Sequence, residues 1–436
     1  MKIEVSIGEA IDKYSILELK MKKITDKNKQ LEILKEIDVL SECLIYKKHF
    51  LFYYNILVYV NEKIWDMTDI IKTITPDNPE FSHWSHQIFE FNQKRFRIKN
   101  WFNLMTNSNI KEQKSYASNH CKIVINKEQD IYDNIAKINY LSLDYDAITF
   151  ESPFVSTIQK IFKLPIYNID LQHNLPPPKI INIDEVNINE NTDISIFEFP
   201  PITYISGGMF GDFIQSLSVI NEQFYETGKK GILYISERGD VFRNGLKNTY
   251  NDTYGLMINQ KYIKAYKIHN NESYDIDLTI WRDCPNLYKV NWYNLYKETY
   301  KVEWGKHPWI YVAYDEKWKD VILINTTDYR WTNNIDYQLL QSKYPGKLMY
   351  ISSDLNQYNM FTHKSKINIP FYKFKNFFDL CSAIKSCKLF IGSLSAPLTI
   401  AHAVHTDRII GICNSNEDNK LNSDLNFIWK NAKYVI

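Results

Sequence analysis

The sequence lacks net charge, long apolar runs and paired cysteine motifs, and each shortage removes a class of function. Lys plus Arg (52) against Asp plus Glu (51) leaves a net charge of +1, so no long-range positive field exists to gather nucleic acid. The longest apolar stretch, from Phe50 to Val60, is broken by Asn55. At about 11 residues it falls well short of the ~20 that a membrane-spanning helix needs. The opening Met1-Lys2-Ile3-Glu4-Val5 is charged, and no secretory leader is expected from it. The six cysteines (Cys43, Cys121, Cys284, Cys381, Cys387 and Cys413) form no C-x-x-C pair and have no histidine at zinc spacing. Reduced thiols in a cytosolic protein follow as the expectation. No repeat recurs at a fixed period.

What is present divides the chain in two by its periodicity. A length of 436 residues with 44% hydrophobic content predicts two or three domains. The first third reads as helical. Ser6-Ile7-Gly8-Glu9 has the form of a capping box, and Ile7, Ile11, Tyr14, Leu17, Met21 and Ile24 recur at three- and four-residue steps. A second run, Leu31 to about Met67, is free of Gly and Pro, so two long helices meeting near Thr25–Lys29 predict an antiparallel hairpin. Pro76 and Pro79 end that unit, and a further helix is expected near Phe81–Met105. From Cys121 the period shortens. Strands at Cys121–Ile125 and Ala147–Phe150 flank a helix over about Glu128–Tyr140. Asn174–Pro178 reads as a linker, and a polar stretch follows at Asn187–Asp193. Beyond it, strands at Thr203–Ile205, Ile232–Ile235, Leu278–Trp281, Val321–Ile324, Leu348–Ile351, Leu389–Ile391 and Ile409–Ile412 alternate with helical patterns. That alternation predicts a mostly parallel sheet with helices on both faces.

Two glycine-marked turns stand out in this second part. One runs Ser206-Gly207-Gly208-Met209-Phe210-Gly211-Asp212 and the other Ile391-Gly392-Ser393-Leu394-Ser395-Ala396-Pro397. Each follows a short apolar strand and opens a helix, an arrangement that points free backbone N–H groups at one spot and suits phosphates. Two such turns suggest two facing α/β halves with a nucleotide between them. The first nearly matches G-x-G-x-x-G, and Glu237 ends the next strand, which keeps a nicotinamide enzyme open. Asp212 reads either as an N-cap carboxylate or as a base that takes a proton from an incoming hydroxyl. Ser395 is a natural N-cap and Pro397 fits a helix's first turn; the dipole end behind them, with the Ser393 and Ser395 hydroxyls, would favour a diphosphate. Arg330 follows a strand end and could clamp a phosphate. Asp275-Ile276-Asp277 mimics a metal-binding D-x-D, with a chance match as the preferred reading. His402 and His405 share a helix face with no third ligand in view, so packing is expected of them.

These residues resemble the glycosyltransferases related to the family 9 heptosyltransferases. The resemblance runs from about Pro200 to Asn414 and rests on Ile205–Asp212, Asp277–Arg282, Asn325–Arg330 and Leu389–Pro397. It implies a GT-B architecture and a metal-independent, inverting transfer from a nucleotide diphosphate sugar to a hydroxyl of a glycan or glycolipid. No cofactor is implied beyond the sugar nucleotide. By motif position Asp212 would be the base, in a cleft turn of Gly207, Gly208, Met209, Phe210 and Gly211. Gly392, Ser393, Leu394, Ser395, Ala396 and Pro397, with Arg330 and Thr326, would hold the diphosphate. Leu394-Ser395-Ala396 stands where that family carries Asp, then Ser or Thr, then Gly, and Thr326 stands where an arginine is usual. Separately, residues 1 to about 118 resemble a bacterial helical domain of unknown function found beside surface-polysaccharide genes. Val5–Lys13 and Glu112–Tyr116 carry that likeness, which implies oligomerisation or docking of an acceptor or partner.

The expected class is therefore α/β, two facing Rossmann-like lobes preceded by an all-α helical hairpin domain. The expected divisions are a helical domain (1–118), a small α/β segment and linker (119–180), an N-terminal lobe (181–305) and a C-terminal lobe (306–436). The expected location is the cytoplasm, with peripheral membrane contact left open and no nucleic-acid partner. A silent sugar-nucleotide binder, a scaffold and a nicotinamide oxidoreductase are the rival readings.

Overall fold

The computed structural model describes residues 4–110, 118–167, 176–188, 192–287, 290, 292–331, 335–410 and 432–434. The chain divides into two compact units, residues 1–200 and 201–436.

In the first unit, α1 (Ile7–Lys23) opens at Ser6, whose hydroxyl accepts the Glu9 N–H at 3.1 Å. Only this half of the expected capping box forms, because the Glu9 carboxylate turns to the Lys99 ammonium at 2.6 Å. The run expected to form one long second helix is three pieces: α2 (Lys27–Val39), α3 (Cys43–His49) and α4 (Leu51–Ile71). No Gly or Pro makes these breaks. All three pieces pack on α1, and an unbroken helix would extend for about 65 Å at 1.5 Å per residue, far past the end of the 17-residue α1. The chain folds back to keep its apolar residues covered.

α5 (Pro79–Met105) closes the bundle, with Asn78 as its N-cap. Its seam with α1 explains the run Val5–Lys13. A Cβ on Gly8 would lie 2.2 Å from the Lys99 carbonyl oxygen, so only glycine permits this approach. Fully buried Asp12 receives the Arg95 guanidinium and the Asn61 amide at about 3 Å.

A small parallel sheet completes this unit: β1 (His120–Val124), β2 (Ala147–Glu151) and β3 (Lys179–Asn182), in the order β2-β1-β3. Between its strands lie α6 (Glu128–Asp133), α7 (Ile135–Leu141) and α8 (Val155–Ile161). The helix expected over Glu128–Tyr140 breaks at Asn134, whose side chain donates to the Asp130 carbonyl at 2.9 Å. Residues 181–200, expected to open the next lobe, stay here, since β3 pairs with β1 and Phe197 is buried against Tyr59 and Tyr140. The Glu112–Tyr116 motif lies outside the described residues, as do parts of the expected linker and of the Asn187–Asp193 stretch.

The second unit holds two parallel sheets. The first comprises β4 (Ile202–Ser206), β5 (Gly231–Ile235), β6 (Ile263–Ile268) and β7 (Ile276–Asp277), with α9 (Phe210–Thr227), α10 (Leu246–Met257) and α11 (Trp292–Tyr300). The second comprises β8 (Ile322–Asn325), β9 (Leu348–Ser352), β10 (Phe371–Lys373), β11 (Leu389–Gly392), β12 (Arg408–Ile410) and β13 (Ala432–Tyr434). Its helices are α12 (Tyr337–Lys343), α13 (Leu355–Ser365), α14 (Phe377–Ser386) and α15 (Ala396–Ala403). The orders are β6-β5-β4-β7 and β10-β9-β8-β11-β12-β13. Counted within each sheet these read 3-2-1-4 and 3-2-1-4-5-6, the Rossmann order. The expected class of two facing Rossmann-like lobes is the observed one.

The strand expected at Leu278–Trp281 is displaced. Pairing with β4 ends at Asp277, and Ile280–Asp283 turns as a 3₁₀ segment. Only the first part of the expected Ile409–Ile412 strand lies within the described residues. The segment joining the lobes is pinned along α9: the Trp304 and Trp309 indoles donate to the Gln215 and Ile214 carbonyls at 3.1 and 2.8 Å. Among the described residues, no helix is long and apolar enough to cross a membrane.

Candidate functional site

In a doubly wound sheet the crevice lies outside the carboxyl ends of the strands where the order reverses. Here those strands are β4 and β7 in one lobe and β8 and β11 in the other. The two glycine turns leave from β4 and β11, the Arg330 loop from β8 and the Arg282 segment from β7. A cavity of about 420 Å³ opens there, lined by Met209–Asp212 and Gln215 on α9, Phe242–Asn244, and Trp292 from one lobe. The other lobe supplies Thr327, Tyr329, Arg330, Phe377, Leu394–Pro397 and Thr399. Helices α9 and α15 meet at this point. A Cβ on Gly211 would sit 3.7 Å from Ala396 and 3.6 Å from Thr399 Oγ1, so the glycine keeps the gap between the two helix starts clear.

Asp212 is not an N-cap. Met209 holds that position and makes no side-chain cap bond. The Asp212 Oδ2 instead accepts from Arg282 Nη2 at 2.8 Å, while 33% of the Asp212 side chain stays open. Burial pushes its carboxyl above the ordinary range; Arg282, and to a lesser degree Arg330, pull it back down. Arg282 lies over the Trp281 ring, 4.4 Å from its centroid. Its guanidinium fills the space above Gly208, where φ is +94° and a Cβ would lie 2.3 Å from Nη2. A Cβ on Gly207 would meet the Ser236 and Arg238 carbonyls at 2.5 Å. The first turn is therefore packed by protein where a dinucleotide's pyrophosphate would have to approach. Glu237 is exposed and lines no part of the cavity.

At the second turn, Ser395 occupies the N-cap position without capping, and its hydroxyl donates to the Ser393 carbonyl at 3.1 Å. At the start of α15 Pro397 has no N–H, and the Leu398 and Thr399 N–H groups donate to the Ser395 carbonyl at 3.0 and 3.2 Å. The Ala396 N–H is left without a partner among the described residues, on a residue that lines the cavity with Leu394, Ser395 and Pro397. Ser393 sits behind this wall, buried, its Oγ accepting the Thr327 N–H at 3.0 Å. Gly392 and Thr326 also stand back. A Cβ on Gly392 would strike the Phe390 ring at 2.6 Å, and Thr326 meets the Tyr350 hydroxyl. Of the residues expected to bind diphosphate, then, Leu394, Ser395, Ala396, Pro397 and Arg330 line the cavity, whereas Gly392, Ser393 and Thr326 shape its wall. Of the cleft turn, Met209, Phe210 and Gly211 line it; Gly207 and Gly208 do not.

The Arg330 guanidinium donates to the Leu394 carbonyl and so braces this turn. Tyr329 lies between Arg330 and Arg243, whose guanidinium carbons are 5.4 and 5.2 Å from its ring centroid. Phe210 and Phe377 bring the lobes together with centroids 4.3 Å apart. Arg282, Arg243, Tyr329, Phe377 and Gln215 were missing from the expected site. Arg282 and Tyr329 had a sequence signal, as members of the Asp277–Arg282 and Asn325–Arg330 runs.

The other motifs are spent internally. Asp275 accepts from the Thr203 N–H and hydroxyl, and Asp277 from Thr279 and Arg238. His402 packs among Trp304 and Trp309; burial, then Arg408, hold its pKa well below the ordinary value.

Residues 1–137 match the model of a family of unknown function (DUF6165). No curated protein matches the sequence. Similar solved structures include a glycosyl transferase family 9 protein from Veillonella parvula, at 9% identity and TM-score 0.30, covering 49% of this chain and 80% of that one. Others are the E. coli heptosyltransferase WaaC with ADP-2-deoxy-2-fluoro heptose (6%, 0.36, 54% and 92%) and E. coli ADP-heptose LPS heptosyltransferase II (11%, 0.34, 54% and 90%). Likeness at this level leaves function to be argued from the site itself.

Proposed function

We propose that the chain is an inverting glycosyltransferase that moves a sugar from a nucleoside diphosphate sugar to a hydroxyl of a glycan or glycolipid. One observation carries this reading: a carboxylate held above its ordinary pKa and an anion-suited helix start face each other across a single cavity, each at the reversal point of its sheet. Oδ1 of Asp212 has no hydrogen-bond partner among the described residues, Oδ2 being taken by Arg282. The acceptor hydroxyl gives its proton to Oδ1 as its oxygen bonds the anomeric carbon. The bond from that carbon to the diphosphate oxygen breaks, and the leaving diphosphate keeps the electron pair. Its charge develops against the Ala396 N–H at the positive end of the α15 dipole and against the Arg330 guanidinium, fixed dipoles and charge that need no reorganisation. Closure around Phe210 and Phe377 would exclude water, which otherwise competes as acceptor.

A thermal-shift panel of UDP, ADP and GDP with their hexose conjugates tests this. A ligand at 100 times its Kd adds about 2.7 kcal/mol of native-state stability, so a binder is visible at once. Failure of every nucleotide to stabilise the protein removes the proposal. Binding without transfer, unaltered in Asp212→Ala, turns the chain into a silent sugar-nucleotide binder.

A further inference from the structure

Besides Asp212, the cavity wall holds a buried polar side chain whose donor is left unpaired among the described residues. Gln215 lies on α9 three residues beyond Asp212, and so on the same helix face, one turn deeper. It lines the cavity, is 5% exposed, and its Nε2 has no hydrogen-bond partner among the described residues. A buried amide donor without an acceptor is costly, and each one that a native structure keeps calls for an explanation, a bound group among them. Its backbone cannot drift to relieve this. The Gln215 carbonyl accepts from Trp304 Nε1 at 3.1 Å, and the preceding Ile214 carbonyl from Trp309 Nε1 at 2.8 Å.

We propose that Gln215 binds the transferred sugar, its carboxamide turning to bring the enclosed Nε2 into the cavity, where it donates to a hydroxyl or ring oxygen of a neutral saccharide unit. The inference rests on the sugar-transfer reading and adds to it the group that reads the sugar. The base at Asp212 and the diphosphate at α15 bound the space in which the anomeric carbon must lie. Gln215 lines the same cavity as the base, one helical turn along α9 from it. Its partner is a neutral oxygen and not phosphate. The cavity's cations, Arg243 and Arg330, cluster at Tyr329, whereas the carboxamide is uncharged and shares the cavity with the Phe242 and Trp292 rings. Aromatic faces with a few placed donors are the chemistry of saccharide recognition, in keeping with a mainly apolar pocket oriented by few polar groups.

The test compares the full-length wild type with Gln215→Met, which keeps the length but not the donor, and Gln215→Glu, which keeps the shape and replaces the donor with an acceptor. Titrations with UDP, ADP and GDP, and with UDP-glucose, ADP-glucose and GDP-mannose, separate the two parts of the ligand. The expected wild-type result is a sugar nucleotide that binds more tightly than its own diphosphate. Both variants should bind the diphosphate as wild type does and lose about fivefold to tenfold of the affinity added by the sugar. The unliganded Tm of Gln215→Met should hold or rise, because an unanswered donor has been removed; a purely structural glutamine would lower it. A sugar increment that survives in both variants, or a parallel loss of diphosphate affinity, overturns the assignment while leaving the sugar-transfer reading standing. The same holds if the wild type gains nothing from the sugar or if Tm falls in both variants. No nucleotide binding by the wild type removes both.

Discussion

Replacing Asp212 by Asn tests the proposed chemistry with little disturbance of the fold. The amide keeps the shape of the carboxylate but accepts no proton. A positioned general base contributes 10²–10⁴ in rate, about 2.7–5.4 kcal/mol of barrier, and kcat should fall by that factor. Stability should barely move, for two opposed reasons. A carboxyl whose folded pKa is raised holds its proton more tightly in the folded state, so its ionised form costs stability above that pKa, and the cost fades as pH falls below it. Asn removes this cost but leaves Arg282 facing an amide. Arg282 keeps its place over Trp281, and with a third of the Asp212 side chain open to solvent the net change should be within about 1 kcal/mol. The pH profile gives an independent sign. Transfer needs the ionised form, so the wild-type rate should fall on acidification through a pKa above the ordinary 3.8, and the residual rate of the variant should lack this limb. The assay is nucleoside diphosphate release in the presence of acceptor from pH 4 to 9, beside a denaturant melt of each protein. A variant that transfers at the wild-type rate, or that retains the same acid limb, refutes the role of Asp212.

Arg330→Met should weaken binding of the free nucleoside diphosphate by about tenfold to a hundredfold and flatten its salt dependence, as measured by calorimetric titration at two ionic strengths. Gly8→Ala should destabilise the first unit by about 1–3 kcal/mol or more, since the new methyl would meet the Lys99 backbone oxygen at 2.2 Å; urea melts followed by circular dichroism would show it, and a neutral result would contradict the α1–α5 seam. Iodoacetamide at pH 8 should alkylate Cys284 well before Cys121 and Cys387, because burial raises both of the latter to about 12; peptide mapping reads the order.

How much of this site could be read from sequence depends on how local its causes are. The glycine turns were legible because a strand-to-helix reversal is decided within a few residues, and both open helices where expected, at Phe210 and Ala396. The breaks between α2, α3 and α4 were hidden, since packing on α1 imposes them and no breaker residue marks them. So was the place of Ser393 behind the cavity wall, which is set by Thr327 on another strand's loop. Arg282 makes the point most sharply. It meets Asp212 across 70 residues only because β7 adds on the far side of β4 from β5, and a sequence read along one dimension shows the two ends but not the reversal between them. The same reversal places the arginine above Gly208, filling space that a match to a dinucleotide fingerprint would assign to phosphate. A glycine at such a turn therefore marks a close approach, and topology decides whether a ligand or the protein's own guanidinium makes it.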